Sequence, residues 1–164
     1  MAAGDCLTNK GSDEWDFSEF DGLDSVDLLA RLIYSEASVE SLTGKRGVYY
    51  VVSNRKAKNS SEFGGNTVAG VVLKKSQFSG MTTNNARCPD KDSTAWKDSL
   101  SVASNGGTNP IGKCLWFNGN DKYKERITTD KDGNEFYTHP GSTAKKVVEK
   151  VVIGKHTFWR VEGY

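Results

Sequence analysis

Ser25-Val-Asp-Leu-Leu-Ala-Arg-Leu-Ile-Tyr-Ser-Glu-Ala37 decides how the rest of the chain is read, because it is an amphipathic helix with a carboxylate inside its apolar stripe. At 3.6 residues per turn, seven residues bring a helix round to within about 20° of its start. Glu36 therefore stands in line with Leu29, flanked by Leu32 and Ile33, and not on the opposite face where Asp27 and Arg31 would meet water. Burial disfavours a charged carboxylate and raises its pKa, which keeps an acid protonated and able to donate to a leaving group. Periodicity leaves a second reading open, in which the side chain of Glu36 swings into solvent where the helix frays.

The wider composition narrows what such an acid could serve. A chain of 164 residues suits one domain with one core. Twenty-two Lys and Arg against 21 Asp and Glu give no overall field towards nucleic acid or an anionic membrane. No apolar run reaches the length of a membrane span, and Met1-Ala-Ala-Gly-Asp-Cys6 lacks the basic and apolar regions of a signal peptide. The three cysteines, Cys6, Cys88 and Cys114, show no C-x-x-C spacing. In an oxidising compartment Cys88–Cys114 is the expected pair, with Cys6 left in a tail.

Other chemistries find little support. Neither His139 nor His156 has a partner two to four residues away, which argues against a zinc site. There is no Gly-x-Ser-x-Gly elbow, and Cys88 lies in a turn-rich loop, so a serine or cysteine hydrolase is poorly supported. Asp130-x-Asp132-Gly133-x-Glu135 lacks the length and late glutamate of a calcium loop and reads as a hairpin turn. No metal and no cofactor is expected.

Along the chain, residues 1–20 read as a lead-in segment whose rings pack on the domain, and residues 21–164 as that domain. Asp24 or Ser25 caps the first helix. Thr43 starts a second, to about Lys58, with Val48, Val51 and Val52 on its buried stripe. Thr67 starts a short third, and Ser93 caps a fourth carrying Trp96 as a core residue. Residues 76–79 read as extended and 80–92 as loop. Leu115–Asn118 reads as a strand, residues 126–129 and 135–138 as a hairpin, 145–152 as helix or strand, and 153–161 as a final strand. The class expected is α+β.

Leu29–Ala37, Gly47-Val-Tyr-Tyr-Val-Val-Ser-Asn-Arg55, Asn66-Thr-Val-Ala-Gly-Val-Val72, Gln77-Phe-Ser79 and Ile153-Gly-Lys-His-Thr-Phe158 follow one another in that order. Together they resemble the SleB/CwlJ-type cell-wall hydrolase family, the spore cortex-lytic enzymes and their relatives. The resemblance implies a lysozyme-like fold, with a helical core around the catalytic helix and a small antiparallel sheet. It also implies cleavage of peptidoglycan glycan strands by one glutamate, which maps onto Glu36.

Glycoside cleavage usually takes two carboxylates, and no second one stands out among Glu40, Glu62, Asp92 and Glu125. A lone glutamate suits a lytic transglycosylase that forms 1,6-anhydro-MurNAc. The alternatives are a hydrolytic muramidase and a non-catalytic wall-binding or phage-tail-type module. Candidate substrate contacts, from the segments that carry the resemblance, are Ser79, Phe78, Gln77, Asn118, Tyr50 and His156. Phe78 divides between cleft wall and core plug, and His156 between cleft and an edge-strand histidine bonded to backbone. Arg55 is expected to hold helix C-terminal carbonyls without touching Glu36, since a guanidinium would lower the carboxyl pKa. The implied partner is peptidoglycan, met as a monomer in the cell wall or spore cortex, with no nucleic acid and no membrane insertion. That setting requires a leader or a larger parent protein.

Overall fold

In the computed structural model, which describes residues 1–164, helix α1 (Ser25–Ala37) runs through the middle of the helical half and packs against every other helix there. Asp24 caps it, its side chain accepting from the backbone N–H groups of Val26 (3.0 Å) and Asp27 (3.4 Å). Leu28, Leu32, Ile33 and Ala37 are fully buried. Helix α2 (Leu42–Lys58) follows after a tight reversal, capped by Ser41. The buried Lys45 spans that reversal, its Nζ donating to the carbonyls of Ser38 (3.1 Å) and Glu40 (2.6 Å). These take up acceptors that the end of α1 leaves without helical partners.

Helices α3 (Val68–Val72), α4 (Asn84–Arg87) and α5 (Thr94–Asn105) complete the bundle around α1. Thr67 and Ser93 cap α3 and α5 as their sequence positions suggest, and Trp96 lies in the core at 2% exposure. Residues 79–92 are less loop-like than expected. A 3-10 turn over Ser79–Thr82 and the single helical turn of α4 fill part of that stretch.

The second half is an antiparallel sheet. Strand β1 (Trp116–Gly119) is followed by helix α6 (Asn120–Arg126), the hairpin β2 (Ile127–Thr129) and β3 (Glu135–Tyr137), and the long pair β4 (Lys145–Ile153) and β5 (His156–Val161). The sheet order is β1-β5-β4-β3-β2. The ambiguous stretch 145–152 is strand: exposed residues alternate with half-buried ones from Val148 to Ile153, the period of two that a one-sided sheet imposes. Phe158 of β5 reaches α2 at Gly47, where a Cβ would lie 2.4 Å from the ring. That glycine lets the sheet close onto the helices. A separate hydrophobic cluster, Tyr123, Tyr137, Trp159 and Val161, sits within the sheet half.

Two expectations fail together. Asp27 and Arg31 do not meet water. Both are buried and joined by a 2.9 Å ion pair. They are covered by the first residues of the chain: Gly4 N–H donates to Asp27, and Arg31 donates to the carbonyls of Asp5, Ala86 and Arg87. Cys6 is thus held beside Cys88 and not in a free tail. The disulfide is Cys6–Cys88, while Cys114 is a buried free thiol. The expected Cys88–Cys114 pair is therefore wrong. Cys114 faces the large core after Ile111, and its thiol is pushed up to about 12, chiefly by burial.

Candidate active site

Where the two halves meet, at the C-terminal end of α1, Glu36 reaches the floor of a small pocket. Its wall comes from α2 through Arg55, from the Gln77–Ser79 segment, from β1 through Phe117 and Asn118, and from β5 through His156. The cavity holds about 100 Å³. Glu36 is half-buried in it and is its only carboxylate. Desolvation raises the pKa of Glu36, and a single 2.8 Å hydrogen bond from the Gly80 N–H opposes that rise.

No cation pairs with Glu36. Arg55 shares the pocket, yet its donors are engaged elsewhere: Nε with the Leu115 carbonyl (2.8 Å) and Nη1 with the Gln77 side-chain oxygen (3.1 Å). Its guanidinium also lies 4.9 Å from the Phe63 ring centre and 4.8 Å from that of Phe78. Burial draws the pKa of Arg55 down to about 10. The carbonyl it holds belongs to the loop entering β1 and not to a helix end, which corrects the expected partner. Gln77 is consequently a structural acceptor for Arg55.

Phe78 satisfies both of its readings. It is 2% exposed, belongs to the main core and lines the pocket, stacked on Phe117 with ring centres 6.3 Å apart. Ser79 is exposed on the rim. Asn118 faces the pocket and donates to the Tyr137 hydroxyl (3.2 Å). His156 lines the pocket edge-on to Phe117, 5.2 Å between ring centres. Its buried Nδ1 has no hydrogen-bond partner, and burial lowers its pKa, so the ring is neutral near pH 7.

Tyr50 is the exception among the six candidates. One residue before Val51 on α2, it is turned about 100° from the Val51–Arg55 line. Its ring packs on Tyr49 and its hydroxyl donates to the Gly107 carbonyl, away from Glu36. Tyr50 therefore does not line the Glu36 pocket. The other acids are also placed elsewhere: Glu40 accepts from the Lys155 N–H, Glu62 from the Tyr164 hydroxyl, and neither Asp92 nor Glu125 reaches the pocket.

Gly80 and Phe117 were not singled out from sequence. A Cβ on Gly80 would lie 2.6 Å from Ser35 Oγ and 2.7 Å from Glu36 Oε1, so glycine is what lets its N–H approach the carboxyl. Nothing in the local pattern around Ser79-Gly80-Met81 marks that approach.

Comparison with known proteins agrees with this architecture. A family model described as cell wall hydrolase matches residues 39–159. That stretch begins beyond Glu36, so the assignment of Glu36 rests on the pocket itself. Two solved structures share the fold. The catalytic domain of the germination-specific lytic transglycosylase SleB from Bacillus anthracis aligns with 23% identity and a TM-score of 0.53, over 85% of this chain and 98% of that one. The catalytic domain of the Bacillus cereus SleB protein aligns with the same identity and TM-score, over 85% and 94% of the two chains. No curated protein matches the chain.

Proposed function

Given that the chain belongs to the cell wall hydrolase family, we propose that it cleaves the glycan strands of peptidoglycan between MurNAc and GlcNAc as a lytic transglycosylase, with Glu36 as acid and then base. The observation that carries this reading is a carboxyl group with a raised pKa, no cationic partner and no second carboxylate in its pocket. Protonated Glu36 donates to the glycosidic oxygen as the bond from MurNAc C1 breaks, and GlcNAc leaves with a free hydroxyl. The carboxylate so formed accepts the proton of the MurNAc 6-hydroxyl while that oxygen bonds to the oxocarbenium-like C1. The product is a 1,6-anhydro ring, Glu36 is protonated again, and no water is consumed.

The neighbours of Glu36 fit these two proton transfers. The Gly80 N–H steadies the carboxylate between them without the large pKa drop an arginine would impose. Phe78 and Phe117 form an apolar wall that limits access of water to C1. An inverting hydrolase would need a second carboxylate about 6.5–9.5 Å from the first, a retaining one about 5–5.5 Å. No second carboxylate lines the Glu36 pocket, and Glu62, which lines the cavity beside it, accepts from the Tyr164 hydroxyl; the intramolecular route needs no second acid. SleB of Bacillus anthracis, which shares the fold, is described as a lytic transglycosylase. This activity would place the working chain outside the cytoplasmic membrane, on the wall or cortex. No helix is long and apolar enough to cross a membrane.

Digestion of purified peptidoglycan followed by mass spectrometry of the released muropeptides tests the proposal. Fragments ending in 1,6-anhydro-MurNAc, lighter by one water than hydrolytic fragments, are expected. Reducing ends would replace the transglycosylase with a muramidase, and no release at all would leave a wall-binding module.

A further inference from the structure

The segment that steadies Glu36 is cross-linked at its other end. Gly80, whose N–H is the single donor to Glu36, lies eight residues before Cys88, the disulfide partner of Cys6. Overlapping turns carry the connection. The Thr83 N–H and hydroxyl both donate to the Gly80 carbonyl (3.1 and 2.6 Å), the Ala86 N–H to the Thr83 carbonyl (3.2 Å), and the Cys88 N–H to the Asn84 carbonyl (2.7 Å). Residues 80–88 therefore form one hydrogen-bonded unit. Its helix α4 is a single turn of four residues, too short to hold its shape without outside contacts.

Many of those contacts come from the start of the chain. The Leu7 N–H donates to the Arg87 carbonyl (3.0 Å), and the Arg87 guanidinium donates to the Leu7 carbonyl (3.2 Å) and to Glu19 (2.5 Å). Arg31 of α1 joins both partners, since it donates to the carbonyls of Asp5, Ala86 and Arg87. The covalent tie is the accessible member of this set: Cys6 is exposed and Cys88 half-buried, whereas Arg31 and Leu7 are buried. Exposed disulfides are the ones that thiols reach and that serve as labile or regulatory bonds.

We propose that the Cys6–Cys88 disulfide is a redox-sensitive tie that keeps the Gly80 N–H on Glu36, and that a dithiol reductant, by opening it, slackens residues 80–88 and slows catalysis without unfolding the domain. A thiolate of the reductant attacks the exposed Cys6 Sγ, forming a mixed disulfide and expelling Cys88 as a thiolate that takes up a proton. The second thiol of the reductant then displaces Cys6, and the reductant leaves as a cyclic disulfide. Two electrons and two protons have passed to the cysteines. Cys114 is buried and free, and takes no part. The effect on rate rests on the glycan-cleaving reading above, whereas the mechanical link from Cys88 to Gly80 does not.

The test compares the protein with and without dithiothreitol, well below its melting temperature, with alkylation and mass spectrometry to count the two opened thiols. Hydrogen exchange of assigned backbone amides is followed by NMR. After reduction the Gly80 amide is expected to exchange at least about tenfold faster, while that of Ile33, inside α1, keeps its rate. The kcat for glycan release is expected to fall about tenfold with KM little changed, and to recover on reoxidation with oxidised glutathione. Cys6→Ser combined with Cys88→Ser should match the reduced protein and no longer respond to dithiothreitol. Unchanged Gly80 exchange once the disulfide is open, or an unchanged kcat in an active protein, would overturn the proposal. Equal acceleration at Gly80 and Ile33 would overturn it as well, because the disulfide would then hold the whole fold and not the donor to Glu36. Should neither form release anything from peptidoglycan while Gly80 exchange still follows the redox state, the cleavage reading fails and the tie stands.

Discussion

The two ends of α1 each withdraw a carboxylate from water, and the protein treats them in opposite ways. Asp27 accepts from Arg31 Nε and from the Gly4 N–H, both at 2.9 Å, and the first residues of the chain close over it. Glu36 receives one backbone N–H and no cation, and it opens into a pocket. A buried carboxylate held by a charge partner and a backbone donor is tied into the packing and serves the fold. One left nearly alone gains affinity for a proton and can serve chemistry. The number of partners, and not burial itself, separates the structural acid from the candidate catalytic one.

The sharpest way to break this contrast is to remove the proton from Glu36. Glu36→Gln keeps shape and hydrogen-bonding reach but cannot deliver a proton, so kcat for glycan release should fall by about 10²–10⁴ in a protein that is no less stable. Full activity in that variant would show that the lone acid is not the working one. The opposite end should answer in stability: Arg31→Met strands Asp27 uncompensated and should cost about 3–5 kcal/mol in denaturant unfolding. Asp27→Asn combined with Arg31→Met should cost less than the sum of the two single changes, because the pair is coupled. Additive costs would mean that Arg31 acts mainly through the carbonyls of Asp5, Ala86 and Arg87.

A smaller effect is expected at the single donor to Glu36. Gly80→Ala places a methyl carbon 2.7 Å from Glu36 Oε1 and 2.6 Å from Ser35 Oγ, so the carboxyl must shift. Activity should drop about tenfold to a hundredfold, since displacing a positioned group by a fraction of an ångström is costly to reaction geometry. The fold should be little changed, because the atoms met are the ends of side chains.

The smallest effect concerns pH. Glu36 binds its proton more tightly folded than unfolded, so its contribution to stability is complete below the ordinary value of 4.5 and is lost as pH rises through the raised value. Glutamine has no such loss. Melting curves of Glu36→Gln should therefore lie above those of the parent near neutral pH, with the gap closing once the pH falls below 4.5. A gap independent of pH would assign the difference to packing instead of protonation.

Much of the helical half, and one turn of the sheet, could be read from local pattern. The caps Asp24, Thr67 and Ser93, the stripe Val48-Val51-Val52 and the turn Asp130–Gly133 all act over a few residues, and they appear as the pattern implies. Helix α6 could not be read in the same way. Asn120-Asp-Lys-Tyr-Lys-Glu-Arg126 is polar on every side, and only Tyr123 is buried, so it has no apolar period. The face of α1 bearing Asp27 and Arg31 misled for the opposite reason: its polarity is real, but another part of the chain supplies the partners that water would otherwise provide.

Residue order alone makes α1 amphipathic, puts Glu36 in its apolar stripe and sets segments resembling a cell-wall hydrolase in order along the chain. Those facts depend on residue type and on a fixed helical period. It takes the folded chain to leave Glu36 unpaired while Asp27 is paired, to tie Arg55 to Leu115 and Gln77, to join Cys6 to Cys88, and to turn Tyr50 out of the Glu36 pocket. Each of those outcomes depends on groups brought together from distant positions. The Gly80 donor to Glu36 lies 44 residues away, the carbonyl that holds Arg55 lies 60 away, and the two bridged cysteines are 82 apart. The charge state of a buried group depends on the neighbours it meets in space, and a local sequence period does not specify them.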